Sequence, residues 1–157
     1  MDYQIIEKLP SPEDYNQLRQ LVGWGTYERD VIEQYLPNSL YFVCAVKDGE
    51  IIGMARIIGD GGIACYIQDV IVKPDYQWHG IGTQLMDKIM DYIHTHANNN
   101  SVIGLMAAKG KEPFYARYGF SVRPDDKTGS GMTMWWKTEK SVKFPPAVSW
   151  QNSPTTR

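Results

Sequence analysis

The sequence predicts a mixed α/β fold, with one mostly antiparallel sheet and helices on both of its faces. Asp48-Gly49 joins two β-rich runs and is the strongest hairpin signal in the chain. After residue 80 the apolar residues recur at helical spacing, and a further apolar run covers residues 102–107. A strand, a helix and a second strand in this order imply a parallel pair joined by a right-handed crossover. The sheet is therefore expected to be mixed.

The N-terminal region is predicted to contain one strand and two helices. Residues 3–8 form a short strand candidate. Ser11 and the proline after it predict the start of a helix that ends near residue 22. A second helical pattern covers residues 27–36. The glycine-containing segment between the two helices predicts a mobile loop.

The middle of the chain is predicted to form an antiparallel meander followed by a long helix. The three strands of the meander cover residues 40–47, 51–59 and 63–72. The helix that follows is defined by apolar residues at helical spacing, namely Leu85, Met86, Ile89, Met90, Ile93 and Ala97.

The C-terminal region is predicted to hold a short helix over residues 113–118 and closing strands over residues 120–122 and 132–137. Residues 1–140 are expected to form a single domain. Residues 141–157 contain several prolines and no periodicity, which predicts an extended or disordered tail.

Composition limits the class of protein. A chain of 157 residues with 43% hydrophobic and 22% charged residues has the size of one globular domain. No window approaches the ~20 apolar residues of a membrane span. The N-terminus lacks the pattern of a signal peptide, so a cytoplasmic protein is expected. A net charge of -2 without a lysine or arginine run argues against a nucleic-acid partner.

Cysteine and histidine spacing predicts neither a disulfide nor a metal site. Cys44 and Cys65 lie in apolar strand-like runs, so buried reduced thiols are expected. His94 and His96 would diverge by about 200° on a helix, which is unsuited to binding one metal ion.

The segment at residues 77–83 reads Gln-Trp-His-Gly-Ile-Gly-Thr and predicts a phosphate-binding turn at a helix start. The first turn of a helix has backbone N–H groups without intrahelical partners and carries the positive end of the dipole. A dinucleotide fingerprint is excluded because Leu85 stands where its third glycine is needed. A P-loop is excluded because Glu112 follows Gly110-Lys111.

Two motifs in the expected order resemble those of the GCN5-related N-acetyltransferases. Residues 77–82 match the Gln/Arg-x-x-Gly-x-Gly/Ala signature, and residues 113–120, Pro-Phe-Tyr-Ala-Arg-Tyr-Gly-Phe, match the family's short helix ending in Gly-Phe. The resemblance covers roughly residues 3–137. It implies the acyl-CoA N-acyltransferase fold, in which a parallel strand pair splays apart, and acetyl-CoA as co-substrate.

The resemblance also implies where acetyl-CoA binds. Pantetheine would lie between residues 68–72 and 102–107, and a backbone N–H near Ile71 would polarise the acetyl carbonyl. The predicted cofactor-binding residues are Ile71, Val72, Gln77, Trp78, His79, Gly80, Ile81, Gly82 and Thr83.

Tyr115 and Asp69 are the predicted catalytic residues. Tyr115 occupies the position of the tyrosine that many enzymes of this family use as general acid for the thiolate, although it could instead only pack or bind the cofactor sulfur. Asp69 lies in an apolar strand at the position where some members carry acidic residues. It could accept the amine proton or orient the ammonium, or it could be a structural carboxylate.

The acceptor pocket is predicted to be aromatic. Trp24 and Tyr27, in the loop between the helices, and Gln68 are the predicted substrate-binding residues, with either Trp135 or Trp136 on the opposite side. The expected reaction is direct acetylation of a primary amine of a small molecule. The alternatives are a protein or peptide N-acetyltransferase and a non-catalytic acyl-CoA-binding module. A homodimer is possible.

Overall fold

The computed structural model describes residues 2–135. It divides into two compact units, Met1–Val122 and Arg123–Arg157. The first unit contains one five-stranded sheet in the order β1-β2-β3-β4-β5. Its strands are β1 (Gln4–Glu7), β2 (Tyr41–Lys47), β3 (Glu50–Gly59), β4 (Ala64–Val72) and β5 (Val102–Leu105). Its helices are α1 (Pro12–Leu21), α2 (Arg29–Tyr35), α3 (Ile81–His96) and α4 (Glu112–Ala116), with 3-10 turns at Leu36–Asn38 and Pro74–Tyr76.

Strand pairing confirms the predicted mixed sheet. β1 to β4 pair antiparallel in sequence order, and β4 pairs parallel with β5 after the crossover through α3. At the predicted hairpin, Asp48 and Gly49 have φ angles of 50° and 83°, which suits a two-residue turn of type I′. At the start of α1, the Ser11 hydroxyl accepts a hydrogen bond of 3.1 Å from the Asp14 N–H.

Helices cover both faces of the sheet, as predicted. On one face, α3 packs through Ile81, Leu85, Met86, Ile89 and Ile93 against a cluster that includes β2, β3 and β4 residues. On the other face, Tyr15 and Leu18 of α1 and Ile32 of α2 pack on Phe42, Cys44, Met54 and Ile71. Burial of both apolar faces stabilises the fold at roughly 25 cal/mol per Å² of apolar surface.

A β-bulge interrupts β4 beside the parallel pair. Met54 of β3 lies opposite Ile71, whereas Arg56 lies opposite Gln68, so one β3 residue faces two residues of β4. Asp69 is one of these two and has a φ of 53°, in the left-handed region that residues other than glycine rarely adopt. The bulge reverses the alternation of β4, because Ile67 packs with the α3 cluster whereas Ile71 packs with the α1 cluster.

β4 and β5 share only a short paired region. Their register runs from Ala64 opposite Val102 to Ile67 opposite Leu105, and β5 ends there. β5 is thus shorter than the predicted residues 102–107, and β4 continues for five residues, Gln68 to Val72, without a β5 partner. The strands therefore separate next to the bulge.

The predicted closing strands are not present in the described residues. Residues 120–122 and 132–135 have no regular structure, and residues 136 and 137 lie outside the described range. An apolar pattern indicates residues that could join a sheet, but a strand forms only if its backbone hydrogen-bonds to a neighbouring strand. In the second unit, Asp125 instead forms a local turn by accepting hydrogen bonds from the Lys127 and Thr128 N–H groups, at 2.8 and 2.7 Å.

The prediction of a single domain over residues 1–140 and of a tail over residues 141–157 stays a prediction. The boundary between the two units falls after Val122. The proposed tail at residues 141–157 lies outside the described residues. Within residues 2–135, no helix is long and apolar enough to cross a membrane.

Candidate active site

A cleft of about 580 Å³ opens where β4 separates from β5. Its walls come from the unpaired part of β4, the turn before α3, the segment after β5, α4 and the loop after α1. All of these elements belong to the first unit. The cleft thus gathers residues that are distant in sequence around the free edge of one strand.

The start of α3 has backbone N–H groups that no described side chain caps. Gly80 is the N-cap residue, with a φ of 82°, and no described side chain caps this end. The Gln84 N–H donates the first backbone bond, to the Gly80 carbonyl at 3.1 Å. The N–H groups of the first turn before Gln84 therefore have no intrahelical partner and are available to an anionic ligand.

Gly82 leaves room beside these N–H groups. A Cβ at this position would meet Phe114 Cζ at 3.7 Å and Val72 Cγ2 at 3.8 Å, which are ordinary van der Waals contacts. The packing of the protein itself thus does not require glycine here. The close approach of a ligand to the helix start would require it.

Side chains around the turn hold it in place and add positive charge. The Gln77 side-chain amide donates to the Val72 carbonyl at 3.0 Å and thus ties the turn to the end of β4. Trp78 has a φ of 68° and a side chain that is 91% exposed. The Lys111 ammonium lies 5.0 Å from the Trp78 ring centroid, and both residues line the cleft.

Most of the predicted cofactor residues line the cleft, including Ile71, Val72, Gln77, Trp78, Gly80, Gly82 and Thr83. His79 and Ile81 do not. The His79 ring is exposed, and its Nδ1 lies 2.8 Å from the Gln77 carbonyl oxygen. The Ile81 side chain is buried in the core, so only its backbone N–H can face a ligand.

Tyr115 lines the cleft from α4. Its ring makes edge-to-face contacts with Phe114 and Phe120, at centroid distances of 5.0 and 6.5 Å. Burial raises the pKa of its hydroxyl above the ordinary value of about 10, and no hydrogen bond within the described residues contributes to that rise. The hydroxyl therefore keeps its proton at neutral pH and can donate it to a ligand.

Tyr118 faces α3 instead of the cleft. Its hydroxyl lies 3.1 Å from Asp87 Oδ1 and 3.2 Å from the Thr83 carbonyl oxygen. Burial, followed by the Asp87 carboxylate, raises the pKa of Tyr118 to about 12. This residue fastens the segment after α4 to the first turns of α3.

The Asp69 carboxylate is the centre of a buried cluster. Its Oδ1 accepts from Arg19 Nη1 at 2.7 Å and from the Gln68 amide at 3.3 Å. Its Oδ2 accepts from the Tyr15 hydroxyl at 2.7 Å and from Arg56 Nε at 2.8 Å. The side chain is 0% exposed. Burial, and next the Asp69 charge, raise the pKa of Tyr15 well above its usual range.

The predicted acceptor residues are only partly brought together. Trp24 and Gln68 line the cleft, whereas Tyr27 is exposed and is not among the lining residues. Trp135 belongs to the second unit, and residue 136 lies outside the described range.

Sequence reasoning missed Arg19, Tyr15 and Arg56 as site residues. One signal was available for Arg19, because Tyr15, Leu18, Arg19 and Val22 share the spacing of a core-facing helix stripe. An arginine in such a stripe needs a buried partner. No sequence signal identifies that partner as Asp69, which lies 50 residues away.

Comparison with known proteins agrees with this geometry. Residues 14–135 match the family model of the acetyltransferase (GNAT) domain. The chain is 31% identical over 127 residues to an uncharacterized ycf52-like N-acetyltransferase of Prochlorococcus marinus, covering 78% of this chain and 68% of that protein.

Two further relatives extend the comparison. The chain is 29% identical over 135 residues to histone acetyltransferase TAP1 of Glycine max, covering 78% of this chain and 55% of that protein. It superimposes with a TM-score of 0.79, at 31% identity, on a probable acetyltransferase of unknown function from methicillin-resistant Staphylococcus aureus, covering 86% of this chain and 100% of that chain. The chain therefore belongs to the GCN5-related N-acetyltransferase (GNAT) family and is an N-acetyltransferase.

Proposed function

We propose that the enzyme transfers the acetyl group of acetyl-CoA to a primary amine of a small molecule, by direct attack in a ternary complex. The observation that carries this proposal is the cleft, which joins an anion-binding helix start to the unpaired edge of β4 and to the Tyr115 hydroxyl. The family supports acetyl transfer, and the cleft supports the particular arrangement proposed here.

The pyrophosphate of acetyl-CoA would bind at the start of α3. The free N–H groups and the dipole favour its negative charge, and the missing side chain at Gly82 allows its approach. Lys111 and Arg117 also line the cleft and add positive charge. Pantetheine would then extend along Gln68 to Val72, where β4 has backbone groups free of β5.

Tyr115 would act as general acid. The amine nitrogen attacks the thioester carbonyl carbon, so a C–N bond forms, the C–S bond breaks, and the nitrogen releases a proton to solvent. The departing thiolate takes the tyrosine proton, and the tyrosine regains one from solvent. A backbone N–H near Ile71 would polarise the carbonyl oxygen during attack. The raised pKa of Tyr115 keeps the acid protonated until the thiolate leaves.

The contacts of Asp69 favour its structural alternative over a role as base. Both carboxylate oxygens already accept hydrogen bonds, two of which come from guanidinium groups. The carboxylate is fully buried, and both of its oxygens are occupied by protein donors, so it presents no free oxygen to an incoming amine. The amine would therefore lose its proton to water.

The main alternative is acetylation of a protein or peptide, and one observation favours it. The relative from Glycine max is a histone acetyltransferase by name, at 29% identity. The half-buried Trp24 at the cleft supports a bounded pocket for a small amine instead. The available Tyr115 hydroxyl argues against a non-catalytic acyl-CoA-binding module.

A screen of amines tests the proposed reaction. The full chain is incubated with acetyl-CoA and, separately, with small primary amines, amino acids and lysine-containing peptides, and thiol release is followed. Release with small amines alone is expected. Release with peptides alone would favour the protein-acetylating alternative. CoA binding without any release would favour the non-catalytic one.

Gly82→Leu tests the cofactor placement. The leucine side chain would occupy the space needed by the pyrophosphate, so calorimetry should show loss of CoA binding while circular dichroism shows an intact fold. Gly129→Leu is the matched control, because a Cβ at Gly129 meets nothing within 4 Å. Unchanged CoA affinity in folded Gly82→Leu would place the cofactor elsewhere.

A further inference from the structure

The loop between α1 and α2 is tied to α1, although its glycines suggest a mobile segment. The Asn16 side chain forms two hydrogen bonds with the Tyr27 backbone, donating to its carbonyl at 2.9 Å and accepting from its N–H at 3.1 Å. The Trp24 N–H donates to the Arg19 carbonyl at 2.8 Å. The loop thus has a defined position despite the exposure of Gly23, Gly25 and Tyr27.

Arg19 is the side chain that links this loop to β4. Its Nε donates to the Gly25 carbonyl at 2.7 Å, and its Nη1 donates to Asp69 Oδ1 at 2.7 Å. The guanidinium carbon lies 5.5 Å from the Trp24 ring centroid and 5.0 Å from that of Tyr27. One buried cation thus contacts the loop backbone, two loop aromatic rings and the bulge of β4.

Arg56 provides an internal contrast. It also binds Asp69, through Nε at 2.8 Å, but its Nη1 donates to the Ser39 hydroxyl at 3.1 Å, away from the loop. Both arginines neutralise the same carboxylate. Only Arg19 contacts the loop.

We propose that Arg19 is the positioning residue that holds the loop Gly23–Tyr27 against the acceptor part of the cleft, and that Asp69 acts by orienting Arg19. The aromatic surface that could attract a substrate ammonium is already in contact with the protein's own guanidinium. Trp24 therefore serves as a fixed wall of the pocket. This inference rests on the proposed function where it concerns the acceptor, but the ordering of the loop can be measured without any substrate.

The forked geometry of the guanidinium group explains why position 19 needs arginine. Nε and Nη1 point in fixed directions and reach two acceptors at once, whereas the single ammonium of lysine keeps the charge without that geometry. Arg19→Lys should therefore keep Asp69 neutralised while losing the bond to Gly25. Loss of a hydrogen bond to a charged group corresponds to about a tenfold to hundredfold change in an equilibrium.

The test compares Arg19→Lys with Arg56→Lys by amide hydrogen exchange in the free protein. We expect exchange at Trp24 and Tyr27 to accelerate about tenfold to a hundredfold in Arg19→Lys. In Arg56→Lys it should stay at the wild-type rate. Wild-type exchange in Arg19→Lys, or equal acceleration in both variants, would overturn the proposal.

Asp69→Asn gives a second route if Arg19→Lys does not fold. Asparagine tolerates the φ of 53° at this position but removes the charge that orients Arg19. Exchange in the loop should again accelerate, and an unchanged rate in folded Asp69→Asn would contradict the role of Asp69.

Kinetic measurements test whether the loop position affects binding of the amine. With an amine identified by the screen, Arg19→Lys should raise the KM for the amine about tenfold or more and leave the KM for acetyl-CoA and kcat near their wild-type values. An equal rise in both KM values would contradict a role confined to the acceptor. Failure of the wild-type enzyme to acetylate any amine would refute the proposed function and leave the exchange result standing.

Discussion

The proposed cofactor side and the proposed acceptor side of the cleft are built from different kinds of groups. On the cofactor side, one continuous segment supplies backbone N–H groups at a glycine-containing helix start. On the acceptor side, side chains from α1, β3 and β4 meet at the buried Asp69 carboxylate and hold a loop through Arg19. A backbone site requires glycines at fixed spacing and can be read from sequence. A side-chain cluster becomes visible only when distant strands and helices pack together.

Tyr115→Phe should produce the largest change, because it removes the proposed general acid without altering the fold. A general acid contributes on the order of 10² to 10⁴ in rate, so kcat should fall by that factor while CoA affinity measured by calorimetry stays close to wild type. Tyr118→Phe is the matched control, since that hydroxyl faces α3, and it should change kcat far less. Equal kcat for wild type and Tyr115→Phe would exclude tyrosine as the acid.

Asp69→Asn should show how much the charge of the buried cluster contributes to the stability of the protein. Removing this carboxylate leaves two largely buried guanidinium groups without their counter-ion, which should lower the free energy of unfolding by about 3 to 5 kcal/mol. Urea denaturation measures the change.

The control for that variant is Glu13→Gln, which breaks an exposed ion pair with Arg29. Such surface pairs contribute at most about 1 kcal/mol, so its unfolding midpoint should stay close to wild type. Similar midpoints for Asp69→Asn and Glu13→Gln would mean that the Asp69 cluster contributes no more to the free energy of unfolding than a surface ion pair does.

The pH dependence of stability should give the smallest change, and it reports on the same cluster. Burial and the Asp69 charge raise the pKa of Tyr15, so the folded protein keeps a proton that the unfolded chain releases above about pH 10. The contribution of Tyr15 to the free energy of unfolding is fully present below that pH. It is lost as the pH rises above it, with a slope of up to about 1.4 kcal/mol per pH unit. Tyr15→Phe should reduce the alkaline slope in urea denaturation. An identical slope in both proteins would show that Tyr15 does not titrate in this way.

Local signals in the sequence were sufficient for most of the regular elements. The Ser11 cap, the Asp48-Gly49 hairpin and the apolar spacing of α3 each act over a few residues, and all three are confirmed. The segments at 120–122 and 132–135 show the limit of such signals, because a strand depends on a partner that local alternation does not provide.

Asp69 shows the same limit within the site. Simple alternation along β4 would place it on the same face as Ile67, in the cluster under α3. The bulge instead turns it toward α1, where Arg19 and Tyr15 can reach it. A one-residue shift in strand register therefore decides whether this carboxylate faces the apolar cluster under α3 or the ion cluster beside α1.

The sequence by itself determined the order of the elements, the glycine turn that starts α3 and the presence of a tyrosine at position 115, because these depend on backbone conformation and on residues close in the chain. Only the tertiary structure decided which side chains neutralise Asp69 and how the loop after α1 is held. The physical reason is that burying a charge requires a counter-charge from any element within hydrogen-bond distance, and the identity of that element is set by strand register and helix packing.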